Sequence, residues 1–88
     1  MQFIAKDEVA RLLPYGSLIQ ALATGLLEPI ESPARSFFNP NHDASSVLIM
    51  PAWRPHRLMG TKIVSIWPGN NAKGKPAVSA VYVLTSCA

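Results

Sequence analysis

Charge is what this chain has least of. Asp, Glu, Lys and Arg make up 15% of its 88 residues, where an average soluble domain carries roughly 25%. Eight basic against five acidic residues leave a net charge of +3. That permits contact with an anionic ligand but does not argue for a broad phosphate-binding face. Cysteine is almost missing: Cys87 stands alone, which excludes an internal disulfide and fits a reducing, cytoplasmic compartment. No long hydrophobic run exists either. The longest uncharged stretch, Leu12 to Leu27, contains Pro14, Gly16 and Gly25 and is too short and too broken to span a bilayer. Lys6, Asp7 and Glu8 interrupt the start before the apolar centre of a signal peptide could form. His42 with Asp43, and His56 further along, have no recognisable metal-ligand spacing, so no metal site is expected. Nor does any Ser/His/Asp or Cys/His arrangement support nucleophilic catalysis. Internal repeats and low-complexity segments are absent.

What is abundant is apolar side chain, 49% of the residues. The length allows one small domain, and such a chain buries only about 60–65% of its unfolded surface. So much apolar material on so small a body is hard to hide. The expectation is a homodimer or larger homo-oligomer, or a segment that packs on more polypeptide.

Along the chain, Gln2 to Ile4 reads as a short apolar strand. A brief helix follows, with Asp7 and Glu8 in its first turn, where the helix dipole favours acids, and Pro14 ends it. Ala5 stands where a capping Ser or Thr would serve better. A second helix is predicted over about Tyr15 to Leu27, with Leu18, Ile19, Leu22 and Leu26 on one face. Its opposite face, Ser17, Gln20, Ala21 and Thr24, carries no charge, so this helix is expected to meet another surface on both sides. The proline-rich connection after it contains an extended stretch from Ile30 to Phe38. "SVLIMPAW" is a continuous strand signal, suited to cover on both faces. "RPHRLMG" reads as a loop, and "KIVSIW" (Lys62 to Trp67) and "AVSAVYVLT" are strands joined by a long hairpin loop. The order gives an α+β architecture: a strand and two helices, then an antiparallel sheet.

The hairpin loop "PGNNAKGKP" holds most of a phosphate-binding P-loop: Gly69, four residues, then Gly74 and Lys75. That loop needs a hydroxyl residue after the lysine and a helix after that. Here Pro76 takes the hydroxyl position and a strand follows, so the loop is read as a connection between strands. A small nucleic-acid-binding module is a separate reading. "WRPHR" (Trp53 to Arg57) with Lys73 and Lys75 sets an aromatic among basic residues, as stacking platforms do, although the charge is modest.

Taken in order, "EVARLL", "SLIQALATGL", "SPAR", "SSVLIMPAW", "GTKIVSIWPGN" and "GKPAVSAVYVL" resemble the N-terminal segment of the ornithine cyclodeaminase/mu-crystallin family. The resemblance covers essentially the whole chain; "MPAW" and the lysine-strand-"PGN" combination are its most specific parts. It implies an NAD(P)-dependent enzyme working on amino or imino acids: an ornithine cyclodeaminase, alanine dehydrogenase, ketimine reductase or opine-type synthase. It further implies that this stretch is half of a dimerising substrate domain, that two subunits join their strands in a barrel-like sheet, and that a Rossmann domain completes the protein. By the same resemblance, Arg35 of "SPAR" and Lys62 of "TKIV" bind the substrate carboxylate. A planar guanidinium grips a carboxylate with two hydrogen bonds, and an ammonium adds a point charge. Ala77 stands where the family often has a threonine. No strand followed by Gly-x-Gly-x-x-Gly is present, and the family's downstream arginine and catalytic aspartate have no counterpart. The Rossmann domain is therefore expected to be absent from this chain, no cofactor is expected to bind it alone, and no catalytic residue is assigned in it. A purely structural dimerisation segment is the third reading.

Overall fold

Three valine- and isoleucine-rich segments lie within the second half of the chain, separated by short connections, and they fold as a meander. The computed structural model describes residues 1–88. Helix α1 (Lys6–Leu12) and helix α2 (Tyr15–Gly25) precede strands β1 (Ser36–Phe38), β2 (Ser46–Trp53), β3 (Leu58–Ile66) and β4 (Val78–Ser86). The strands form one antiparallel sheet in the order β1-β2-β3-β4. The expected α+β class and the sheet ending in a long hairpin are both present.

Three local expectations need correction. Gln2 to Ile4 is not a strand, because three residues with no partner strand have no ladder to hold them; the outer place next to β2 is taken by Ser36–Phe38. Strand β3 starts at Leu58, inside the segment read as a loop. A tight turn over Arg54–Arg57 returns the chain at once, so Met59 and Gly60 pair with Trp53 and Ala52. Helix α2 stops at Gly25, with Leu26 and Leu27 in a closing turn, as expected where a glycine is followed within a few residues by Pro29.

The turn between β2 and β3 has a legible chemistry. Arg57 N–H donates to the Arg54 carbonyl at 3.0 Å, Pro55 follows Arg54, and His56 has φ 62°. Proline second and a positive φ third define a type II turn, where glycine is the natural third residue. His56→Gly therefore raises stability by about 0.5 kcal/mol, and His56→Val lowers it by about 1 kcal/mol; urea midpoints measure both. In the β3–β4 connection, Pro68–Lys73 forms a 3-10 helix closed by Gly74 at φ 69°, so the glycine of the apparent P-loop serves as a left-handed cap.

The helices do not complete a layered domain. Neither packs as a layer on the sheet, and neither has a buried residue. The second surface expected on each side of α2 is not supplied by these 88 residues. Ala5 caps α1 with no side-chain bond, in line with its chemistry. Val64, 8% exposed, is the one buried hydrophobic side chain. The radius of gyration is 15.6 Å, against about 12 Å for a compact domain of this length. No helix is long and apolar enough to cross a membrane.

Candidate functional site

Cross-strand partners share a sheet face and successive residues alternate, so the register sorts the side chains. Leu48 pairs with Val64 and Val64 with Ala80; Met50 pairs with Lys62 and Lys62 with Tyr82; Ala52 pairs with Gly60 and Gly60 with Leu84. These three rows lie on one face. Lys62 is exposed in the middle of it, flanked by a methionine and a tyrosine. It sits on central strand β3, so its side chain stands on a rigid support and not on a free edge.

Arg35 is the residue just before β1. Ser36 pairs with Ile49, the first pair of β1 with β2, so Arg35 lies one residue outside the ladder. The ladder is irregular at this point. Glu31 bridges Trp53, so from Glu31 to Ser36 the chain takes one step more than its partner takes from Trp53 to Ile49, which is a bulge. Pro33 falls within it and Pro51 lies opposite, where β2 has no partner strand on that side; both lack an N–H to contribute. The bulge frees "SPAR" from the sheet and leaves Arg35 exposed.

Both cations are uncommitted. The ion pairs of the molecule are Arg11 with Glu8, at 3.5 Å, and Arg54 with Glu28, at 2.9 Å. Neither Arg35 nor Lys62 makes a side-chain hydrogen bond within the chain. The structure places Lys62 on β3 and Arg35 in the irregular stretch just before β1, both exposed.

The sequence did not point to Gly60 and Tyr82. A Cβ at Gly60 would overlap the Tyr82 ring, so the glycine makes room for the tyrosine to lie diagonally across β3. A glycine inside a strand signals such close approach, but it does not say what approaches. Of the nucleic-acid reading, Trp53, Arg54 and Arg57 lie together at the β2–β3 turn, and Lys73 and Lys75 are in the β3–β4 connection. His42 and His56 occupy separate turns at positive φ. Trp53 is half-buried in β2, and Arg54 is engaged by Glu28. Asp43 belongs to the loop before β2, where the Ser45 hydroxyl at 2.5 Å and the Ser45 N–H at 2.7 Å both donate to it. Those two bonds, the hydroxyl first, hold its carboxyl below the ordinary value.

No protein-family model matches the chain. It is 32% identical over 90 residues to an uncharacterized protein of Schizosaccharomyces pombe. It is 30% identical over 90 residues to Protein SAR DEFICIENT 4 of Arabidopsis thaliana. Each match takes in 96% of this chain and 27% of the relative. The chain therefore spans about a quarter of the length of the curated relatives it matches.

Proposed function

We propose that this chain is the N-terminal part of an NAD(P)-dependent amino- or imino-acid oxidoreductase or cyclodeaminase of the ornithine cyclodeaminase/mu-crystallin type. Its share of the work is to hold the substrate carboxylate and to supply dimer surface, in a cytoplasmic protein. One observation supports the reading: Arg35 and Lys62 are both exposed and neither has an anion partner within the chain. The cofactor would be NAD or NADP, bound outside these residues.

An α-carboxylate held by this pair gains up to three charge-assisted hydrogen bonds, each worth about 1.5–3 kcal/mol. The role proposed for both residues is to bind and orient the carboxylate.

The test has two arms. Pyruvate, proline and ornithine are added in turn to the 88-residue chain and its melting temperature followed, since a ligand that binds only the folded state raises it. In the complete protein, Arg35→Ala is expected to weaken amino- or imino-acid binding about 10- to 100-fold and to leave NAD(P) affinity unchanged. Equal losses for substrate and cofactor would count against the assignment. A purely structural dimerisation segment is favoured by the exposed apolar surface, and it predicts no ligand response in either arm. The nucleic-acid alternative has less support, because the tryptophan it needs as a stacking platform is half-buried.

A further inference from the structure

A hollow of about 250 Å³ lies at the β2–β3 turn end of the sheet, on the face of Lys62; Tyr82, which pairs with Lys62, lines it, while Arg35 and Lys62 do not. Small-molecule sites usually run from about 300 to 1,000 Å³, so this one fits a body of a few carbon atoms and excludes a nucleotide. Its floor is apolar. Ala52, Leu58 and Leu84 come from the same sheet face as Gly60, and Ile30 is delivered beside them by the Glu31–Trp53 bridge. The Tyr82 ring laid across Gly60 closes one side.

The rim is cationic. Arg54 and Arg57 stand at the two ends of the type II turn, and both line the hollow. Glu28 fixes Arg54 at 2.9 Å, yet the Arg54 Nε is shut off from solvent with no acceptor. Arg57 has no carboxylate partner at all. Only one of the two guanidiniums has a carboxylate partner, so the rim has a surplus positive charge beside an apolar floor.

We propose that this hollow is a second ligand site, for a small organic monoanion with a short apolar body: the body against Ile30, Leu58 and Leu84, the anionic group at the Arg54–Arg57 rim. The proposal does not rest on the reading above: Tyr82 is shared with the surroundings of Lys62, but neither Arg35 nor Lys62 lines the hollow.

The test titrates the isotope-labelled 88-residue chain with 4-methylpentanoate, with 4-methylpentanol and with acetate, following amide chemical shifts. Saturable shifts at Ala52, Leu58, Gly60 and Leu84 are expected with the acid. The alcohol lacks the charge and acetate lacks the body, so both bind at least about tenfold more weakly. Arg57→Gln, with an otherwise unchanged spectrum, weakens the acid about tenfold or more, while Lys62→Gln and Arg35→Ala leave its affinity as it was. Equal binding of acid and alcohol overturns the proposal, as do shifts spread without saturation over α2 and β4. Loss of binding with Lys62→Gln but not with Arg57→Gln overturns it too, since the carboxylate would then lie at the other site.

Discussion

Val64→Asp is expected to leave the chain without a folded sheet at 25 °C. Val64 is on β3, the strand with partners along both sides for most of its length, and it sits between Leu48 and Ala80 on the face shared with Lys62. At 8% exposure it is the one hydrophobic side chain that is buried. An unpaired carboxylate there costs several kcal/mol after all relaxation, and a domain of this length has only about 5–10 kcal/mol of stability in total. Ile63 supplies the control. It is the next residue, on the opposite face, and 37% exposed, so Ile63→Asp retains the sheet at reduced stability. Far-ultraviolet circular dichroism and urea melts of the two variants decide the matter. Equal losses would mean that the two faces are equally covered, contrary to the burial pattern.

The neighbouring strand β2 marks how far the sequence carried. Ser46 to Trp53 is a strand almost to the residue, because a run of apolar residues bounded by a polar loop and a Pro-containing turn leaves little else for it to be. Its expected cover on both faces is only partial, since every residue after Ser46 is half-exposed. The start of β3 was hidden by the basic, Pro-containing composition of "RPHRLMG", which describes the turn but not the residues the turn pulls back into register. Gln2 to Ile4 shows the converse: apolar composition suggests a strand, but only a partner makes one. Arg35 and Lys62 were singled out through their motifs, whereas the irregular stretch that holds Arg35 outside the ladder was not visible, because it depends on the Glu31–Trp53 bridge. The hollow at Ile30, Leu58 and Leu84 was invisible for the same reason. Sheet register brings those distant positions together, and no spacing in the chain announces it.

At micromolar concentration the chain is expected to associate, with α2 in the contact. Its accessible surface is 7303 Å², while a compact folded monomer of this mass exposes about 5,000 Å². The excess, about 2,300 Å², is well above the roughly 800 Å² that each partner buries in a standard interface, and falls in the range of obligate ones. Much of it is apolar: Ile19 and Leu22 of α2 and Leu26 just after it are 65%, 52% and 82% exposed. An eleven-residue helix with no packing partner is marginal in water, so covering this face and forming the helix are coupled. Helical dichroism should then rise with protein concentration in step with the sedimentation coefficient. Ile19→Lys combined with Leu22→Lys should raise the dissociation constant about tenfold or more, since two buried aliphatic side chains contribute about 1.5–3 kcal/mol each. The opposite result is equally clear: a monomer at all concentrations, melting cooperatively and with a radius of gyration near 12 Å, would mean that the chain covers its own apolar surface in solution and needs no partner to do so.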